Sequence, residues 1–237
     1  DTSEQAGDCV AAVISAGIIP GGMEMMDTFA IQAAEEFVNA GYPLNVEALL
    51  IIELDGSEVE VEYLIERVSK IAKDTGAEHI KISQSEEERM VFWSGRKAAF
   101  PAIGRLSPDY ICMDGTIPRG KLSEVLSGMS KLSKKYDLRV ANVFHAGDGN
   151  LHPLILFDAN NPGEFERAEN FGSDILRLCV SVGGVLTGEH GVGIEKRDLM
   201  GEMFTEDDLK QQQRLKCAFD PNHLLNPGKV YPTLHRC

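Results

Sequence analysis

The sequence predicts an α+β fold: ferredoxin-like split β-α-β units forming an antiparallel sheet with helices packed on one face, followed by a helical C-terminal tail. Three observations carry this expectation. Residues 110–187 run through strand-like and helix-like apolar patterns in the order β-α-β-β-α-β. Asp148-Gly149, set between two strand-length apolar runs, is a hairpin signal that makes the two middle strands antiparallel neighbours. From Gly188 onward the chain changes to a glycine-rich loop, helical stretches and a turn-rich tail. The predicted division is therefore a cap region over 1–187 and a C-terminal segment over 188–237 that packs on something outside this chain.

The elements follow in order. Thr2-Ser3-Glu4-Gln5 reads as a capping box opening a first helix that ends near Gly17. A second helix carries Met26, Phe29, Ala30, Ala33 and Phe37 on one face and stops at Gly41 and Pro43. Residues 48–54 have the length and apolar content of a strand. Val61, Leu64, Ile65, Val68 and Ile71 recur at helical spacing, with Gly76 as the cap, and 79–83 reads as a short strand. Ser85-Glu86-Glu87-Glu88 opens a helix through Trp93 and Arg96 that should break before Pro101. The predicted ferredoxin-like unit takes strands at 110–117, 140–146, 151–157 and 185–187. Its helices begin at Pro118 and Pro162, and Gly183-Gly184 ends the second of them. The earlier α-β-α-β stretch reads as a second such unit lacking its leading strand.

Composition narrows the function classes. The 237 residues are 43 % hydrophobic and 25 % charged, enough for a substantial core. A formal net charge of −14 argues against nucleic acid, whose phosphates need Lys and Arg. No apolar run approaches the ~20 residues of a membrane span, and no signal peptide is visible. The five cysteines are widely spaced, odd in number and without C-x-x-C, which argues against a disulfide framework and for a reducing compartment. Cys9 and Cys179 fall in helical apolar patterns and read as core.

The chemistry concentrates in His145-Ala146-Gly147-Asp148-Gly149-Asn150-Leu151-His152. A symmetric turn at Asp148-Gly149 would pair residue 145 with 152, with Cβ atoms ~5 Å apart on one face. Both imidazoles would then reach one metal ion at ~2.1 Å; a plain hairpin with surface histidines is the alternative. Glu189-His190, between Gly188 and Gly191, would complete a two-His, one-carboxylate set suited to Zn, Mn or Fe. Adjacent residues of a regular strand point opposite ways, so both can face the site only if the backbone bends there. Trp93 and Arg96 share a helical face, and Arg96 suits a carboxylate clamp or an ordinary surface position. Lys196 and Arg197 read as solvated, and Gly191-x-Gly193 is too short for a dinucleotide fingerprint.

Taken together, H-A-G-D-G-N-L-H-P at 145–153, G-E-H-G-V-G at 188–193, D-P-N-H-L-L-N-P-G-K at 220–229, W-S-G-R-K-A-A-F-P at 93–101 and D-G-T-I-P at 114–118 resemble the C-terminal part of the FAD-linked oxidases that act on D-2-hydroxy acids. The resemblance spans essentially the whole chain. It implies an N-terminal flavin domain as partner, FAD as cofactor, and a small 2-hydroxy acid such as glycolate or D-lactate as substrate. It further implies a divalent ion on His145, His152 and Glu189, His190 as general base, Arg96 and Asn150 on the substrate, and Gly191 and Asn226 toward the flavin. Relatives acting on 2-hydroxyglutarate carry a lysine where Cys112 stands, which favours a monocarboxylate. Other oxidase subunits are further expected partners, and the expected location is the cytoplasm or the inner-membrane surface through those subunits. A stand-alone metal hydrolase and a non-catalytic docking module are the competing readings.

Overall fold

The computed structural model describes residues 2–232. Helix α1 (Ser3–Ser15) opens on the expected capping box: Thr2 Oγ1 accepts from the Gln5 N–H at 3.1 Å, and Gln5 Oε1 accepts from the Thr2 N–H at 2.8 Å. Next come β1 (Gly22–Asp27), α2 (Thr28–Val38), β2 (Ala48–Glu53), α3 (Glu58–Asp74) and α4 (Glu86–Ile103). Then follow β3 (Asp109–Cys112), β4 (Gly115–Thr116), α5 (Leu122–Tyr136), β5 (Val140–Phe144), β6 (Asn150–Leu151), β7 (Pro153–Phe157) and α6 (Glu164–Ser181). The short α7 (Met200–Met203) and α8 (Glu206–Phe219) complete the described helices.

A five-stranded antiparallel sheet in the order β2-β1-β5-β7-β3 forms the centre. The strands β3, β5 and β7 pair as the split β-α-β pattern requires. Its fourth strand is reduced to a single bridge between Val185 and Thr116, because β4 breaks away from β3 to pair with β6. The α+β class and the antiparallel sheet are as expected. The placement of helices on one face is corrected. Alternate residues of the strands face two cores: Met25, Phe144 and Ile155 pack with residues of α1, α5 and α6, while Met26, Val143 and Leu154 pack with Ala30, Ala34, Ala99 and Ala102 of α2 and α4. Both strand faces are apolar, so both must be covered.

Three further expectations change. Met26 lies on β1, not on a helix; Asp27 ends that strand and caps α2, accepting from the Ala30 N–H at 3.1 Å. Residues 79–83 form no strand: no neighbouring backbone comes into register, and Ile80 and Ile82 stay 38 % and 43 % exposed. Helix α4 continues through Pro101. The proline forfeits one bond to the carbonyl of the exposed Lys97, while Ala99, Ala102 and Ile103 are buried and hold the last turn in place. Cys9 and Cys179 are buried free thiols and Cys112 is a half-buried one, whereas Cys217 is disulfide-bonded. Among the described residues, no helix is long and apolar enough to cross a membrane.

Candidate metal and substrate site

The hairpin that carries the histidines is wider than the sequence suggests. His145 pairs with Asn150, not with His152: its N–H donates to the Asn150 carbonyl at 3.0 Å, and the Asn150 N–H returns a bond at 3.3 Å. Four residues close the turn, with Gly149 in the left-handed region at φ 75°, where a Cβ would stand 2.2 Å from the Ile117 carbonyl oxygen. A two-residue turn cannot form because Ala146 is buried in the core and Gly147 donates its N–H to the Met23 carbonyl of β1 at 2.9 Å. His152 is thus a diagonal neighbour of His145 on the same face. Diagonal pairs remain within reach for large side chains, and the two ring centroids are 5.1 Å apart.

The 187–190 loop reaches these histidines by a bend that Asp114 imposes. Asp114 is fully buried where the chain leaves β3 for β4. Its carboxylate accepts the Thr187 hydroxyl at 2.7 Å and the N–H groups of Gly188, Glu189 and His190 at 3.0, 3.0 and 2.8 Å. Successive N–H groups converging on one anion make a tight concavity, so adjacent side chains no longer alternate as on a strand. Glu189 Oε1 comes within 3.0 Å of His152 Nε2 and 3.8 Å of His190 Nε2, and the His190 ring stacks on His152 at 5.2 Å. Gly188 fits only without a side chain, since a Cβ there would stand 2.4 Å from Asn150 Oδ1. Lys196, expected in solvent, is buried with 1 % exposure and sets its ammonium 3.3 Å from Asp114 Oδ2. Burial alone would raise the Asp114 carboxyl, but the bonds from Thr187 and His190 and the charge of Lys196 outweigh it and hold it well below the usual carboxylate range. Burial lowers the pKa of Lys196 against the pull of Asp114.

Glu24 is the site residue that the sequence reading misses. It lies on β1, an interior strand that was not anticipated. The β1–β5 register pairs Met26 with Val143 and Met25 with Phe144, and its next step sets Glu24 across from His145. One carboxylate oxygen meets His145 Nδ1 at 2.9 Å; the other accepts from Arg96 Nε at 2.9 Å. Arg96 is a buried residue of α4, 9 % exposed, which removes the surface reading of this arginine. Among the described residues no acceptor bonds its two Nη groups. A signal was present: Glu24 is the one polar residue in the run Met23–Met26, between the Pro20-Gly21-Gly22 turn and the helix cap at Asp27.

The electrostatics suit a cation. The hydrogen bond to Glu24 raises the His145 pKa, with burial opposing. Burial, and then the charge of His145, lower that of His152, which favours the neutral imidazole that ligates metals. Glu24 is held below its usual range by His145 and Arg96, although burial alone would raise it. One ligand atom each from His145, His152 and Glu189 lies within 4.8 Å of the others, a donor set of two imidazoles and a carboxylate that fits a Zn-, Mn- or Fe-type ion. The surrounding wall is mixed. Phe100 of α4 meets His152 edge-on with centroids 6.1 Å apart, Cys112 Sγ lies 3.9 Å from His152 Nδ1, and burial pushes that thiol up to about 12. Asn150 Oδ1 and Thr116 Oγ1 are buried without a hydrogen-bond partner among the described residues. Gly191 sits at φ 80° beside the loop, its N–H bonded to Thr187 Oγ1 at 2.8 Å. Asn226 sits at φ 47° in the exposed tail.

An antiparallel sheet covered on both faces thus brings two histidines, a carboxylate and an arginine together beside its interior strands. Residues 1–230 match the family described as FAD linked oxidases, C-terminal domain, and the chain belongs to that family. It is 59 % identical over its whole length to the glycolate oxidase subunit GlcD of Escherichia coli strain K12, covering 48 % of that protein. It is 35 % identical to the glycolate oxidase subunit GlcD of Bacillus subtilis strain 168, over 96 % of this chain and 48 % of the relative. A probable mitochondrial D-lactate dehydrogenase of Danio rerio is 30 % identical over 96 % of this chain and 46 % of its own. The chain thus spans about half the length of the curated relatives it matches. Among solved structures, p-cresol methylhydroxylase with substrate bound shares the fold with a TM-score of 0.70 at 15 % identity, over 97 % of this chain and 50 % of that one.

Proposed function

We propose that this chain is the substrate- and metal-binding half of a flavin-dependent dehydrogenase that oxidises a small D-2-hydroxy acid, glycolate or D-lactate, to the 2-oxo acid. The observation that carries the reading is the meeting of His145, His152 and Glu189 within 4.8 Å, beside the Arg96 guanidinium and the His190 ring. The names of the relatives support the reaction and the substrate class.

His145, His152 and Glu189 would hold a divalent ion, and Arg96 would grip the substrate carboxylate through its Nη groups. When bound, a divalent ion there would supply polarisation of the substrate hydroxyl, and FAD would supply a hydride acceptor. His190 takes the hydroxyl proton, a contribution of ~10²–10⁴ in rate for a placed base. Asn150 is the further residue proposed to contact the substrate, through its side-chain amide. Cys112, a neutral thiol beside His152, offers no cation to a second carboxylate, which favours a monocarboxylate. Leu215, Phe219, Leu224 and Leu225 of the 188–237 segment are 63 %, 79 %, 77 % and 60 % exposed, and they are the surface proposed to dock on an N-terminal flavin domain. Other oxidase subunits are proposed as further partners.

The test uses the full-length flavoprotein, wild type and His152→Ala. Elemental analysis should find stoichiometric divalent metal in the wild type and little in the variant. Glycolate or D-lactate should bleach the wild-type flavin anaerobically. A wild type that binds no divalent ion after loading overturns the proposal, as does metal-dependent ester hydrolysis without flavin reduction.

A further inference from the structure

Glu24 has no part in holding the ion, gripping the substrate or taking the proton, yet its side chain is only 11 % exposed and each carboxylate oxygen serves a different residue of the site. Arg96 can only donate, from Nε to Oε2 at 2.9 Å. His145 meets Oε1 through Nδ1 at 2.9 Å. An ionised carboxylate is an acceptor only, so it requires the proton of a neutral His145 on Nδ1 and leaves the Nε2 lone pair free.

We infer that Glu24 is a positioning residue that selects Nε2 of His145 for the metal and at the same time fixes the Arg96 guanidinium, so that one side chain aligns the metal half and the carboxylate half of the site. This rests on the proposed function for the identity of the two halves. Outer partners of a ligating histidine commonly change metal affinity by ~10–100-fold when removed. Binding the Nε edge of Arg96 also orients its plane, which leaves the Nη groups for a ligand.

Glu24→Gln separates the two duties. The amide oxygen must face Arg96, which tolerates no donor there. The amide NH2 then faces His145 Nδ1 and drives its proton to Nε2, where it blocks ligation. In the full-length flavoprotein, titration with Zn2+ against a chromophoric chelator should show ~10–100-fold weaker binding for Glu24→Gln. At saturating metal, its KM for the 2-hydroxy acid should stay close to wild type. Glu24→Ala should lose both properties. Zn2+ binding by Glu24→Gln equal to wild type overturns the inference, whereas a wild type that fails to bind Zn2+ overturns the proposed function instead. The 15N spectrum of zinc-loaded wild type needs no variant: His145 should carry its proton on Nδ1, and ligation through Nδ1 overturns the inference.

Discussion

The ammonium of Lys196 stands 3.3 Å from the carboxylate of Asp114, and neither side chain is more than 2 % exposed. Removing one member of such a pair leaves a charge buried without its counterpart. Lys196→Met should therefore destabilise the protein by about 3–5 kcal/mol. The double variant Asp114→Asn/Lys196→Met should recover part of that loss. Urea unfolding of Lys196→Met, Asp114→Asn and the double variant against wild type measures the coupling; independent, additive effects would contradict it.

Acid should expose the same carboxylate. Asp114 is held well below its usual range in the folded state, so it adds stability that is fully present above its unfolded pKa of about 3.9. That contribution is lost as pH falls from about 4 toward the depressed folded value. Thermal midpoints recorded between neutral and strongly acid pH should fall steeply at the acid end for wild type. Asp114→Asn should be less stable at neutral pH and show a flatter acid limb.

Gly188→Ala should damage the site while leaving the fold standing. A Cβ there would meet Asn150 Oδ1 at 2.4 Å and Thr116 Oγ1 at 2.6 Å, both buried atoms. Overpacking of this kind typically costs about 1–3 kcal/mol, and the loop that carries Glu189 and His190 must shift to relieve it. We expect a tenfold or greater fall in kcat/KM, consistent with ~1.4 kcal/mol or more of lost transition-state stabilisation. Steady-state kinetics beside a near-wild-type circular dichroism spectrum checks it.

Arg96→Lys should not behave as a conservative change. A lysine cannot present a planar fork, so it cannot serve Glu24 and a substrate carboxylate together. KM for glycolate or D-lactate should rise about tenfold or more, as for the loss of one charge-assisted bond, while kcat changes less. An unchanged KM would remove Arg96 from the proposed carboxylate clamp.

The sequence made the helices and the histidine hairpin legible because their signals are local. A capping box at Thr2, apolar spacing along α3 and α5, and Asp148-Gly149 between two apolar runs each depend on residues close together in the chain. What was lost depended on distant partners. Strand β1 is short and methionine-rich, and it becomes a strand by pairing with β2 and β5; with it went Glu24. The hairpin register moved because Gly147 answers to Met23 of β1 rather than to its own turn. Lys196 looked like any charged residue in a polar stretch, and only the carboxylate buried at Asp114 explains its place inside.

The 187–190 loop holds its shape through a residue far upstream: three of its consecutive N–H groups close on Asp114, which Lys196 neutralises from the other side. The portable unit is therefore not the Gly-Glu-His-Gly peptide. Grafted alone into another scaffold, that peptide would relax to an ordinary strand with its glutamate and histidine on opposite sides. A designer who wishes to transplant this centre must carry the aspartate and the lysine with it.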